Sequence, residues 1–569
     1  MFTPLAATDS PISVHQRITV SGRTVKVPAK RACSGLKPTD WVGKNSTGKA
    51  AGRYFKLACT TPLTDGRWFS LDEALASFDR AIAIFKDYAE AHYNKGLVLQ
   101  KLQRFEAAVD CYNRALEIAP GYADAHYNKG LAQKGLGRFD DAVASFRACL
   151  AISPDSAEAH FNLGVVLQKI NQSDAAISSY ERAINLKPDF AEAHNNRGRI
   201  LKDMGRFDEA IADYDRAIAL EPGFFEAYSN RGVALLRKNL LQSAVDSFNQ
   251  ALTLNPDFAE ACNNRGLALQ ADRKLDEAIA SYDEALRLQP DFAEANWNKA
   301  LALLLKGHWA EGWELYKWGF DAGKRDASGG MPDSAWDGGV LKGSLLVLPE
   351  QGVGDEIFYA GMVNDLRGLA ESITLAVDPR LITLYQRSFD HVNVVSSRDL
   401  PALRSCEARI HLGSLGRYFR ADEAGFKRVV SPYLKADTER VQSLRRRIAG
   451  DGKLVCGLSW VSRNKELGED KSLRLEDLKP LLELPGIAFV DLQYGDTGAE
   501  RTALQESTGI EIQRIPEIDN FNDLDGLAAL ISACDVVVTV SNTTAHLAGA
   551  LGKPMMVMLP CSFRLLWYW

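Results

Sequence analysis

AEAHYNKGLVLQKLQRFEAAVDCYNRALEIAPGY (residues 89–122) and AEAHNNRGRILKDMGRFDEAIADYDRAIALEPGF (residues 191–224) are two copies of one pattern in the chain's first half. The period is 34 residues, marked most clearly by Asn94, Asn128, Asn162, Asn196, Asn230, Asn264 and Asn298. Around the asparagines recur Ala at positions 1 and 3, Gly at 8, Ala at 20 and Pro at 32. A fixed period of this length means one structural unit used again and again.

Six regular copies start at Ala89, Ala123, Ala157, Ala191, Phe225 and Ala259, and an altered one starts at Ala293. The pattern resembles the tetratricopeptide (TPR) repeat. That resemblance implies antiparallel helix pairs that stack into an all-α superhelical solenoid, because one pair cannot bury its apolar face alone. The last copy loses regularity after Gly307. Its second helix, HWAEGWELYKWGF, puts Trp309, Trp313 and Tyr316 on one face at three- and four-residue spacing. Such a stripe is expected to cap the solenoid by docking on the next domain.

The chain has 569 residues, too many for one compact core. Its net charge of −6, from 67 basic and 73 acidic residues, offers no basic field to nucleic acid. No apolar run reaches the length of a membrane span, and the N-terminus lacks the apolar core of a signal peptide. The nine cysteines are scattered without a CxxC pair. Buried free thiols in a reducing cytoplasm are the expectation, and the protein is expected to be cytoplasmic.

Residues 1–54 read as a disordered or non-repeat leader, 55–320 as the solenoid of about seven repeats with its capping helices, and the Gly/Asp/Ser/Lys-rich 321–343 as a linker. From there short β-branched runs alternate with amphipathic segments, an α/β pattern of parallel strands. A break at VVSPYLKAD divides it into an N-terminal lobe, 344–437, and a C-terminal lobe, 438–569. Two doubly wound, Rossmann-like lobes with a crevice between them are expected. Ligands of such sheets bind at the carboxyl ends of the strands.

Three constellations fall at such ends. LLVLPE runs into EQGVGDEI, where Gly352 and Gly354 let a backbone approach a ligand and Asp355 opens a helix. Asp355 reads equally as a helix cap. VVVTV ends in Ser541, Asn542, Thr543 and Thr544, with His546 in the first turn of the next helix. Small polar residues at a helix start suit a diphosphate, since orphan N–H groups and the helix dipole both favour negative charge. The loop after GLSW carries Ser462, Arg463, Lys465, Lys471 and Ser472, and Glu500 follows LQYGD.

In that order and spacing, EQGVGDEI, GLSW…EDKSL, LQYGD…E and SNTTAHLAGALG resemble the TPR proteins with a heptosyltransferase-like domain. The layout is similar to protein O-linked N-acetylglucosamine transferase, of the two-lobed GT-B type. The resemblance implies a metal-independent, inverting glycosyltransferase using a nucleotide-diphosphate sugar as donor substrate and no cofactor. It implies Asp355 as general base, Lys471 and His546 on the donor diphosphate, and an acidic residue near Glu500 on the donor ribose. Gly352, Gly354, Ser462, Ser541, Asn542, Thr543 and Thr544 complete the donor site. Two departures stand against activity. Ser541-Asn542 replaces a common Asp-Thr, and the chain stops at LLWYW where such folds continue into helices that cross back.

The asparagine column admits two readings. It stabilises contacts between helices, or its seven amides line a groove that holds an extended peptide by its backbone. The recurring His92, His126, His160 and His194 are packing residues, too far apart in stacked helices to share one ion, and no metal site is expected. Asp523 and Asp525 form a DxD pair that reads as helix capping. At the level of function a sugar transferase stands against a non-catalytic scaffold with a degenerate transferase domain. A role in secretion or pilus assembly rests on repeat analogy alone.

Overall fold

In a computed structural model the described residues are 71–325, 336–350, 352–399, 406–428, 431–450, 452–462 and 472–559. The expected leader, 1–54, lies outside them, as do Arg463, Lys465, Lys471 and the chain's last ten residues. The chain divides into two compact units that meet between Lys238 and Asn239.

The first unit is all helical. Leu71–Ile84 is followed by the pairs Ala89–Lys101 with Phe105–Ile118, Ala123–Gly135 with Phe139–Ile152, Ala157–Lys169 with Ser173–Leu186, and Ala191–Asp203 with Phe207–Leu220; Phe225–Arg237 begins a further copy. The glycine at position 8 of each copy is explained by one contact. A Cβ at Gly96, Gly130, Gly164 or Gly198 would lie 2.6, 2.8, 2.8 or 2.9 Å from the ring of Tyr112, Phe146, Tyr180 or Tyr214, respectively, each ring fully buried. Only a bare backbone lets the second helix seat its ring against the first. The turn between the two helices needs a left-handed residue, and Gln103, Gly137, Asn171 and Gly205 hold that position at φ of 58, 71, 59 and 79°.

The second unit begins with three helices of the same kind, Leu241–Leu254, Ala259–Ala271 and Leu275–Leu288, then Ala293–Lys306 and Trp309–Tyr316. Two parallel sheets follow. The first contains β1 (Leu341–Leu348), β2 (Ala370–Val377), β3 (Asn393–Ser396) and β4 (Ala408–His411) in the order β3-β2-β1-β4. The second contains β5 (Leu454–Ser459), β6 (Ile487–Asp491), β7 (Ile512–Gln513), β8 (Val536–Val540) and β9 (Met555–Met558) in the order β7-β6-β5-β8-β9. Each sheet starts at its middle and reverses direction of winding once, between β1 and β4 and between β5 and β8. This is the doubly wound pattern.

The aromatic stripe docks as expected. The Trp313 indole N–H donates to the Arg420 carbonyl at 3.0 Å, and the Tyr316 and Tyr359 hydroxyls are 2.7 Å apart. Trp313 lies so close to Gly416 that a Cβ there would be 2.4 Å from its ring. These residues belong to one continuous core with β1, β2 and the helix Leu524–Ala533. The expected linker, 321–343, is different at both ends. Arg325 is buried, its guanidinium stacked on Phe320 and Tyr316 and paired with Glu350 at 2.7 Å. Trp336 is buried against Tyr418, and β1 begins at Leu341 rather than 344. Aromatic stacking and a buried ion pair hold what composition alone marks as loose.

Asp523 caps the helix Leu524–Ala533 by accepting the Gly526 N–H, while Asp525 pairs with Arg387 of the first sheet's side at 2.7 Å. Among the described residues no helix is long and apolar enough to cross a membrane.

The ring-on-glycine contact makes a sharp prediction. Gly164→Ala gains up to about 1 kcal/mol in helix propensity but forces an overpacked core costing roughly 1–3 kcal/mol. A lowered urea midpoint with unchanged helicity is expected, and a midpoint at or above wild type contradicts the contact.

Candidate functional site

The asparagine column is occupied within the protein. The Asn128 amide nitrogen donates to the Tyr93 hydroxyl at 3.0 Å and to the Asp124 carbonyl at 2.9 Å. Asn162 repeats this on Tyr127 and Glu158, and its oxygen accepts from Lys134 at 2.9 Å. Asn230 donates to Asn195 and Asn298 to Asn263, in each case the side chain 35 residues earlier. Asn94, in the first complete repeat, donates to the Glu90 carbonyl at 2.7 Å. Where the residue 35 earlier is Phe161, which has no hydroxyl, Asn196 bonds Tyr180 instead. Asn264 is buried. Six of the seven amides thus make hydrogen bonds between or within repeats, and at Asn128 and Asn162 both donor positions of the amide nitrogen are used. The histidines behave as packing residues too: His92, His126 and His160 each meet the backbone carbonyl six residues earlier at 2.9–3.1 Å.

In the second unit the sequence motifs fall at the two switch points. The turn after β1 carries Gly352, Gly354 and Asp355 into the helix Val353–Tyr359, and the turn after β8 carries Ser541 and Asn542 into the helix Thr543–Ala550. The turns face each other. A Cβ at Gly354 would lie 3.0 Å from His546 Cδ2 and 3.7 Å from the Thr543 hydroxyl, and the Phe358 and His546 rings meet edge-on at 6.0 Å. Asp355 is half-buried in the first turn of its helix.

Asn542 does not face a ligand with its side chain. Its oxygen accepts from the backbone of Thr544 and Ala545 and from the Thr539 hydroxyl, and its nitrogen donates to Ser459 Oγ at 2.8 Å. Its task is to hold the turn after β8 against the turn after β5. Gln493 does the same from β6, its oxygen accepting from Ser459 Oγ and the N–H groups of Trp460 and Val461. Ser541 Oγ and Thr544 Oγ1 are buried and find no hydrogen-bond partner among the described residues. Glu500 is anchored by the Trp460 indole N–H at 2.8 Å, which occupies one of its two carboxylate oxygens. Ser462 is buried, its N–H bonded to Ser472 Oγ.

Three residues beside these turns were assigned no role from the sequence. Glu350 closes β1, accepts the Gly413 N–H at 2.8 Å and holds Arg325. Asp491, fully buried at the end of β6, meets Thr497, Arg514 and Arg501; burial raises its carboxyl above the usual range despite those partners. Glu356, next to Asp355, is 2 % exposed and accepts the Asp378 N–H at 2.8 Å. Burial pushes its carboxyl up from 4.5 to about 8.

Comparison with known proteins agrees with the helical part. Family models described as tetratricopeptide repeat match residues 89–122, 259–292, 195–257 and 111–144, and a TPR repeat model matches 70–103, 135–171 and 169–205. Protein FlbA of Caulobacter vibrioides is 32% identical over 284 residues, 46% of this chain. The match spans about half of that relative, 47% of its length. Among solved structures, YrrB, described as a TPR protein with an unusual peptide-binding site, is 27% identical over 32% of this chain and 95% of its own, with a TM-score of 0.30. MamA is 30% identical over 29% of this chain and 96% of its own, with a TM-score of 0.28. The chain carries many TPR repeats, and these support a role in protein–protein interaction.

Glu356 supplies a pH test. Its raised carboxyl keeps its proton in the folded state while the unfolded chain loses it above about pH 4.5, so stability falls as pH rises from there to about 8. Glu356→Gln keeps an acceptor for Asp378 and has no charge to bury. Relative to wild type it should gain on the order of a few kcal/mol between pH 5 and pH 8. Denaturant melts at both pH values measure this, and parallel pH profiles for the two proteins rule it out.

Proposed function

We propose that the α/β part is a GT-B-type glycosyltransferase that moves a sugar from a nucleotide diphosphate to an acceptor hydroxyl on a protein or glycan. The reading rests on one observation above all: the glycine turn after β1 and the Ser541–His546 turn after β8 meet at the switch points of two doubly wound sheets. A donor in that crevice would place its diphosphate at the N-terminus of Thr543–Ala550. Backbone N–H groups, the Ser541 and Thr544 hydroxyls and the His546 ring would carry the charge that grows on the leaving group there.

Asp355, across the crevice, takes the acceptor's proton as the acceptor oxygen bonds to the sugar carbon and the bond from that carbon to the diphosphate breaks. One displacement of this kind inverts the sugar carbon. Glu500 keeps one carboxylate oxygen for a ribose hydroxyl. Lys471, outside the described residues, is assigned to the diphosphate by resemblance. Asn542 acts only by keeping the turn in shape. The repeats recruit the acceptor.

A second reading, a non-catalytic scaffold, is favoured by Ser541-Asn542, which provides no free carboxylate or amide to a donor. Calorimetric titration with uridine, guanosine and adenosine diphosphates separates the two. A binder weakened at least tenfold by His546→Ala, with Asp355→Asn abolishing transfer but not binding, is the expected result. No binding of any diphosphate at millimolar concentration would leave the scaffold reading.

A further inference from the structure

The repeats pair a tyrosine with a glutamine. The Tyr112 hydroxyl donates to Gln100 at 2.8 Å, Tyr180 to Gln168 at 3.4 Å and Tyr282 to Gln270 at 2.9 Å, each pair 12 residues apart. Copies with a different residue at the glutamine position have a phenylalanine for the tyrosine: Lys134 goes with Phe146 and Leu236 with Phe248. The altered copy from Ala293 pairs Leu304 with Tyr316, whose hydroxyl meets that of Tyr359 instead, and among the six regular copies one breaks the rule. Lys202 stands at the glutamine position, 12 residues before Tyr214, and the Tyr214 hydroxyl is buried without a hydrogen-bond partner among the described residues.

The same copy departs at a second position. Arg199 replaces the aliphatic residue that the others carry (Leu97, Leu131, Val165, Val233, Leu267, Leu301). It lies one turn from Lys202 on the helix Ala191–Asp203, and its guanidinium donates to Gln168 at 3.0 Å. Arg237, on the helix Phe225–Arg237, lies over the Phe207 ring at 5.7 Å. The Lys202 side chain is only 16% exposed and has one carboxylate nearby, Asp203 at 3.5 Å. Burial holds the Lys202 ammonium below its ordinary range, with Asp203 opposing the shift and the charges of Arg199 and Arg237 adding to it. Among the described residues these three cations have one ion pair, Lys202 with Asp203, and the same copy holds the unpartnered Tyr214 hydroxyl. A buried polar group without a partner costs stability, and it is conspicuous where sister copies satisfy the same group.

We propose that Arg199, Lys202, Arg237 and the Tyr214 hydroxyl form a carboxylate-binding site for an acidic side chain of a polypeptide held by the repeats. A carboxylate has only acceptors, and all four groups can donate. The planar guanidinium fork suits its two oxygens. A polypeptide is favoured over a free anion because the site sits on helices of a repeat that supports protein interaction. The site lies within the first unit and takes no part in the donor chemistry proposed for the second.

Lys202→Gln is the decisive variant because it restores the pair of the sister copies. Fluorescence anisotropy of the full chain would use a labelled peptide of alternating Glu and Gly, with a Lys/Gly peptide as control and inorganic phosphate as competitor. The acidic peptide should bind and the basic one should not. Lys202→Gln should weaken binding at least tenfold while its melting temperature stays equal or rises, and Arg199→Leu should weaken it comparably. Diphosphate binding by either variant should equal wild type, which keeps this result separate from the transferase test. The proposal fails if the acidic peptide does not bind, or if either variant binds it as wild type does. It fails also if phosphate displaces the tracer as effectively as unlabelled peptide, which would make this a free-anion site.

Discussion

An aromatic ring seated on the bare backbone of a glycine is the contact on which both units depend. In the repeats it closes each helix pair, Tyr180 on Gly164 and Tyr282 on Gly266. At the end of the helical part it joins Trp313 to Gly416, and past the repeats it sets Tyr418 against Gly338. The physics is the same each time. Removing one methyl group lets a flat, polarisable surface reach van der Waals contact with main chain, and dense packing tolerates no partial version of that fit. Helix spacing is then determined by the ring's thickness, and successive copies repeat their geometry closely.

That regularity is why the helical part was legible in the residues. Ala, Gly and Asn recur at fixed positions because packing admits nothing else there, and the helix bounds follow. The strand pattern and the reversal points were legible for a related reason: buried parallel strands such as VVVTV are apolar throughout and end in polar turns. Arg325, Glu350 and Asp491 were not legible. Each is a charged residue whose ion-pair partners lie outside its own element, and no local period records a buried ion pair. The linker was misjudged on the same ground, since Trp336 in a Gly/Asp stretch reveals its burial only when Tyr418 is seen against it.

At the two facing turns, residue type and role part company. Asn542 sits where a ligand contact is expected, yet its amide joins three strand ends: its own, that of β5 through Ser459, and that of β6 through Gln493, which shares Ser459. A polar side chain at a strand end has two employments, toward a ligand or toward neighbouring turns, and sequence gives the same letters for both. What distinguishes them is whether the hydrogen-bonding capacity is filled. Asn542 is filled. Ser541 and Thr544 are not, so any donor contact from this turn falls to them, to the backbone and to His546.

The same criterion divides the repeats. Asn128, Asn162, Asn196, Asn230 and Asn298 each stitch their copy to the one before, and an amide spent on stacking has less capacity left for a guest. Arg199 and Lys202 occur once. They replace residues that sister copies use for packing and for satisfying a tyrosine, and they leave a hydroxyl unmet in doing so. In a stacked array the periodic residues maintain the lattice, and departures from the period mark where it meets something else. A departure that also costs stability is hard to account for by packing, which any of the sister residues would serve better. Around Lys202 hydrogen-bonding capacity is open, and there the proposed recognition by the repeats is placed.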